Sequence, residues 1–195
     1  MPKHNPLIFF KRFLASPIAV GAVLPTSLQT ARIMASPVDP KGTVLEMGAG
    51  TGSITQGILE RIDDPSRLTS VEIDPELATE FKKNFPDVKL VVGDAEEALT
   101  RGREFDAIIS GVPFTVMNPE KRERMFALIK EKLSRNGVFV AIQYSLSSKK
   151  ELERNFRSVK IKFSPLNAPP AFLYICREPI LDVRAEEQAK EAVAA

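Results

Sequence analysis

The feature that most constrains this chain is an alternation of short apolar runs with stretches of helical spacing, from Val44 to Cys176. The expected strands are Val44 to Met47, Leu68 to Ile73, Val88 to Val92, Asp106 to Ser110, Gly137 to Tyr144, Val159 to Phe163 and Ala171 to Cys176. Between the earlier ones lie expected helices over Ile54 to Arg61, Pro75 to Lys83, Ala95 to Thr100, Glu120 to Leu133 and Ser148 to Phe156. Strands joined through helices demand a mostly parallel sheet covered on both faces, a doubly wound α/β fold. No helix separates the last two strands, so they are expected to pair antiparallel. Two shorter helices are expected before the body: Leu7 to Leu14, and Ser27 to Ala35 with Thr26 as its N-cap.

The chain has 195 residues, which points to one domain with extensions. The expected boundaries are 1–42 for amphipathic or lid helices, 43–180 for the α/β domain, and 181–195 for a tail. The lone cysteine, Cys176, sits in an apolar run and reads as a buried thiol. It fits a reduced, cytoplasmic setting. With one histidine, His4, a zinc site lacks ligands, and no metal is expected. No run of 18 apolar residues occurs, so no transmembrane helix is expected. The net charge of +2 is uneven. Residues 1–42 hold five basic residues against one acidic, so an anion-facing surface is expected there.

The strongest local signal is Glu46-Met47-Gly48-Ala49-Gly50-Thr51-Gly52, directly after the first strand. Glycines let a backbone turn tightly and approach a ligand closely. In a doubly wound sheet, ligands bind beyond the carboxyl ends of the strands, where this loop lies. Glu72 ends the second strand, where a carboxylate can accept from both ribose hydroxyls. Asp94 follows the third strand; it can accept from an adenine amino group, cap a helix, or do both. The loop lacks the G-x-G-x-x-G spacing and has no Gly-Lys-Ser/Thr, so it is neither a dinucleotide fingerprint nor a P-loop. Glu46 before the glycines suits a ligand with a cationic amino-acid end.

At these residues the sequence resembles the class I S-adenosylmethionine methyltransferases. The resemblance runs through Val44 to Thr55, Val71 to Asp74, Gly93 to Ala95 and Ile108 to Phe114. It implies a Rossmann-like seven-stranded sheet with an antiparallel last strand. It also implies S-adenosylmethionine as cofactor, with S-adenosylhomocysteine as product. By that match Gly48, Gly50 and Gly52 hold the methionine part, Glu72 the ribose and Asp94 the adenine. Glu46, Ala49, Ile73, Ala95 and Ser110 are further expected cofactor-side residues. Pro25, Thr26 and Ser27 are expected to close over the methionine end.

Two relatives look close. The RNA adenine dimethyltransferases share the glycine loop and Val71-Glu72-Ile73-Asp74. However, they carry Asn-(Leu/Ile)-Pro-(Tyr/Phe) where Ser110-Gly111-Val112-Pro113-Phe114 stands here. They also carry a helical RNA-binding domain after the catalytic one, which is not expected here. The bacterial phospholipid N-methyltransferases resemble the chain almost end to end. The matching pieces are Phe10-Lys11-Arg12-Phe13, Gly21 to Ser27, Ser110 to Pro113, Gln143-Tyr144 and Asn167 to Ala171. The usual Leu before the proline pair is replaced by Ala168.

This second resemblance implies methylation of phosphatidylethanolamine towards phosphatidylcholine. Gly111, Pro113, Phe114, Asn167 and Pro169 are the expected acceptor-side residues. The amine must lose a proton, to water or to Tyr144. Phe114 and Tyr144 are expected to face the increasingly cationic head. Phe9, Phe10 and Phe13 with Lys11 and Arg12 are expected to lie in an anionic membrane surface, or else to form a lid. The enzyme is thus expected peripherally on the inner face of the membrane, with no obligate protein partner. An RNA adenine-N6 dimethyltransferase is an alternative, disfavoured by the net acidic charge beyond residue 42. A non-catalytic S-adenosylmethionine-binding protein is a second alternative.

Overall fold

Val44–Met47 forms β1, and all four residues are buried, as in a central strand covered on both faces. Its neighbours are β2 (Leu68–Glu72) and β4 (Phe105–Ser110), both parallel to it, with Val44 opposite Leu68 on one side and Ala107 on the other. β3 (Lys89–Val92) lies outside β2, and β5 (Leu133–Gln143) outside β4. β6 (Phe156–Ser164) and β7 (Ala171–Pro179) complete a seven-stranded sheet of order β3-β2-β1-β4-β5-β7-β6. β7 runs antiparallel to both β5 and β6, as expected from the absence of a helix before it. The computed structural model describes residues 25–181. The expected Leu7 to Leu14 helix, with Phe9, Phe10, Lys11, Arg12 and Phe13, lies outside them, as does the tail from Arg184.

Side-chain alternation along the strands feeds two cores. One face packs α1 (Leu28–Ala35), α2 (Ser53–Leu59) and α3 (Pro75–Asn84) through Met34, Ile54, Ile58 and Phe81 against Val44, Ile109 and Val140. The other packs α4 (Ala95–Arg101), α5 (Pro119–Lys132) and α6 (Lys149–Asn155) through Leu99, Phe126, Ile129 and Leu152 against Leu45, Ile108 and Phe139. α3 and α5 begin with proline, whose missing N–H has no helical partner to lose. Asp74 and Asn118 cap them by accepting from backbone N–H groups. Cys176 is buried on the second face, and burial pushes its thiol up to about 12, so it is an inert core group.

Two expectations shift. Ser27, not Thr26, caps α1: Ser27 is extended and its Oγ accepts from the Thr30 N–H at 3.2 Å. β5 starts at Leu133, where a helix end was expected, because Leu133 pairs with Phe105 before a bulge carries the register to Val138 opposite Ala107. Because β7 starts beside the end of β5, the β6–β7 loop lies at the carboxyl end of the parallel strands, alongside the glycine loop.

Candidate active site

The glycine loop is strapped to the sheet by backbone bonds. Gly48 and Ala49 N–H both donate to Val71 O, at 2.9 and 3.0 Å, and Gly111 N–H donates to Met47 O at 2.9 Å. Gly50 has φ +57, and a Cβ built on it meets nothing within 4 Å, so it borders open space. Gly52 differs: a Cβ there would lie 2.0 Å from the Phe85 ring, so its bareness serves packing. Glu72 sits between, accepting from Gly50 N–H at 2.7 Å and Asp74 N–H at 2.8 Å. These bonds fix the carboxylate and leave each oxygen a further acceptor direction. Gly93, beside the end of β3, also borders open space. Asp94 caps α4 through Glu96 N–H at 2.9 Å, and its second oxygen takes the Lys121 ammonium at 2.5 Å.

Glu46 lies beneath this groove rather than in it. It is wholly buried, and one oxygen accepts from Thr55 Oγ1 at 2.7 Å and Ser70 Oγ at 2.6 Å. The other has no partner among the described residues. Burial, with a smaller push from Glu72, raises its pKa from an ordinary 4.5 to about 7. Glu72 is raised too, again chiefly by burial. A buried acidic pair below a glycine loop favours a ligand that brings positive charge.

The residues expected on the acceptor side come from distant segments. Ser27 N–H donates to Asn167 Oδ1 at 3.1 Å, and Asn167 Nδ2 donates to Pro169 O at 3.0 Å. The Thr30 hydroxyl bridges Ser27 and Ser164 at 2.8 Å each. These bonds tie the head of α1 to the β6–β7 loop. Gln143, buried at the end of β5, accepts from Phe114 N–H at 3.2 Å and donates to Val112 O at 3.3 Å. Ser110 Oγ accepts from Val112 N–H at 3.1 Å, so the Ser110–Phe114 turn is held from both ends. Beside them the Tyr144 hydroxyl is buried without a partner among the described residues. Burial pushes its pKa up to about 12, an effect that neighbouring Asn167 only partly offsets.

Residues 44–137 match the family described as methyltransferase domain. This is a methyltransferase domain. Its methyl donor is S-adenosylmethionine. The chain is 29% identical over 181 residues to an ornithine lipid N-methyltransferase of Singulisphaera acidiphila, covering 87% of this chain and 94% of that one. It is 25% identical over 141 residues to ribosomal RNA small subunit methyltransferase A of Bordetella pertussis, covering 63% of this chain but 52% of that one. The chain thus spans about half the length of that RNA-modifying relative. Precorrin-6y C5,15-methyltransferase of Geobacter metallireducens has the same fold, with TM-score 0.63 at 14% identity, covering 77% of this chain and 88% of that one.

The methyltransferase's residues fit its donor. The open cradle at Gly50 and Gly93 flanks Glu72, a carboxylate oriented by two backbone N–H groups at a strand end. The positive sulfonium and ammonium of the donor suit the buried acids below. One sequence expectation is redirected by geometry. The Phe114 ring does not face a ligand; it is fully buried and stacked on Phe126, ring centres 4.8 Å apart. Three residues escaped the sequence reading as site residues: Gln143, Lys121 and Phe85. Gln143 carried a signal, a polar residue closing the apolar run Val138 to Ile142. Lys121 and Phe85 carried none, because helix and loop packing bring them in.

Proposed function

We propose that the methyltransferase acts on the amine of a membrane lipid, converting phosphatidylethanolamine through methylated intermediates towards phosphatidylcholine. The observation that carries this reading is the likeness to an ornithine lipid N-methyltransferase across nearly the whole of both chains. Both headgroups present a primary amine. An RNA acceptor is less well supported. The RNA-modifying relative is matched over only half its length, and the Phe114 ring that would stack on a base lies in the core. In this reading the protein works peripherally, at the inner face of the membrane. Among the described residues no helix is long and apolar enough to cross one.

When bound, S-adenosylmethionine supplies a methyl group already activated on a sulfonium. Glu72 holds the ribose hydroxyls and Asp94 the adenine amino group, with Ile73, Ala95 and Ser110 lining the groove. Gly48, Ala49, Gly50 and Gly52 shape the loop against the methionine end, and Pro25, Thr26 and Ser27 cover it. Gly111, Pro113 and Phe114 form one wall of the acceptor pocket through their backbone, and Asn167 and Pro169 the other. Alignment and exclusion of water are the main demands of an in-line transfer. A phenol with a pKa near 12 is neutral at pH 7, so Tyr144 acts as a hydrogen-bonding hydroxyl and water removes the proton. The unpartnered hydroxyl accepts an amine N–H and aims the nitrogen lone pair.

The test is label transfer from radiolabelled S-adenosylmethionine to three acceptors: phosphatidylethanolamine vesicles, ornithine-lipid vesicles and RNA. Label in phosphatidylethanolamine is expected. Label only in ornithine lipid would move the headgroup assignment, and label only in RNA would overturn the lipid reading.

A further inference from the structure

The carboxyl end of the sheet carries exposed apolar side chains that no helix among the described residues covers. Phe163 is 56% exposed, Leu166 62% and Leu146 50%. Phe163, at the end of edge strand β6, pairs with Phe172 of β7, ring centres 5.4 Å apart. Leu166 lies in the β6–β7 loop, next to Asn167. Leu146 follows Ser145, whose carbonyl accepts from the Tyr174 hydroxyl. Tyr174 and Phe172 are alternate residues of β7, so Phe163 and Phe172 share the Tyr174 face, Leu146 adjoins it through Ser145, and Leu166 lies in the loop at the same end of the sheet. An isolated exposed leucine needs no explanation, but a cluster rimming a site marks a contact surface.

The charge around the cluster selects the partner. Residues 145–170 hold six Lys and Arg against two Glu, a net of +4 in a chain whose total is +2. Lys160 and Lys162 alternate with Phe163 along edge strand β6 and so leave the opposite face of the sheet, exposed and paired with no acid among the described residues. Lysines on an edge strand also block strand addition, which disfavours a protein docking by β-pairing. Apolar tips at the end of an edge strand that carries free lysines on its other face are what an anionic bilayer surface binds when the strand end meets it.

We infer that the β6–β7 rim, with Phe163, Leu166 and Leu146 inserted and Lys160 and Lys162 at the headgroups, docks the protein on an anionic membrane. This contact is separate from the one expected of the N-terminal segment. It rests on the lipid-amine reading for its purpose, because it sets the acceptor pocket facing the bilayer. The transfer site and the membrane contact then share the carboxyl end of the sheet, and a headgroup reaches the pocket without its acyl chains leaving the bilayer.

The test uses the full chain, with flotation on vesicles of phosphatidylethanolamine and phosphatidylglycerol, and turnover on a short-chain phosphatidylethanolamine below its micellar concentration. The double substitution Phe163→Ser, Leu166→Ser is expected to lower vesicle partition about tenfold while turnover on the monomeric lipid stays. Lys160→Glu, Lys162→Glu is expected to lower partition on these vesicles and leave partition on pure phosphatidylcholine unchanged. Undiminished flotation of either double variant overturns the inference, as does an equal loss of flotation and monomeric turnover. Wild-type protein that floats yet labels no lipid sinks the acceptor assignment and leaves the docking face standing. Wild-type protein that labels monomeric lipid yet does not float sinks the docking face alone.

Discussion

On the donor side, Gly50, Glu72 and Gly93 each come within three residues of a strand end, and backbone bonds between neighbouring strands hold them. Among the residues proposed for the acceptor side, Ser27 and Asn167 stand 140 residues apart and meet through the Ser27 backbone N–H and the Asn167 side chain, with Gln143 and Ser164 from two further strands. The donor half is thus a product of the sheet itself. The acceptor half exists only when the head of α1, the end of β5 and the β6–β7 loop have converged. The difference extends to polar satisfaction. Both carboxylate oxygens of Glu72 are engaged by backbone, whereas the Tyr144 hydroxyl waits for a partner. A half built from repeated strand-end geometry suits a donor that never changes, and a half built from loops suits an acceptor that differs between relatives.

The largest expected effect breaks the donor half. Glu72→Ala removes charge-assisted bonds to the ribose, and about a hundredfold loss of S-adenosylhomocysteine affinity by calorimetry is expected. A smaller loss would mean the carboxylate serves only to hold Gly50. The acceptor half breaks differently. Asn167→Ala frees Ser27 N–H and Pro169 O, with an expected stability loss of about 1–3 kcal/mol by urea titration. Its acceptor KM should rise more than its donor Kd, because the released Ser27 also borders the methionine end; an equal fall in donor affinity would join the two halves.

The smallest effect sharpens the electrostatics under the donor loop. Glu46 is raised in the folded protein from 4.5 to about 7, so the native state holds a proton that the unfolded chain releases. Its favourable contribution is present below pH 4.5 and is lost as pH rises through about 7. Glu46→Gln keeps an acceptor for Thr55 and Ser70 and removes this loss. Its unfolding free energy by urea titration is expected to fall less than that of wild type between pH 5 and 8, a difference on the order of 1–3 kcal/mol. Parallel pH profiles for the two proteins would contradict a buried, raised Glu46.

The two halves were not equally legible in the sequence. The glycine loop, Glu72 and Asp94 stood out because each sits a fixed step beyond an apolar run, and that spacing survives folding. The antiparallel last strand was legible from the proline-rich segment that leaves no room for a helix. Phe114 was misplaced because a turn residue's facing depends on what packs beneath it, here Phe126 and Phe139. The start of β5 was hidden because a helical pattern runs up to Leu133, and only pairing with Phe105 recruits that residue into the sheet. The bond from Ser27 to Asn167 leaves no trace in either local stretch, since neither neighbourhood differs from an ordinary cap or turn.

The claim that donor and acceptor halves work separately is tested most directly by Tyr144→Phe. The substitution removes one hydroxyl and keeps the ring. S-adenosylhomocysteine affinity is measured alongside methyl transfer to phosphatidylethanolamine vesicles. Donor affinity is expected within about twofold of wild type and turnover lower by about tenfold or more, from the single lost hydrogen bond to the amine. Unchanged turnover would leave the buried hydroxyl without a role in transfer, and a parallel loss of donor affinity would contradict the division between the halves.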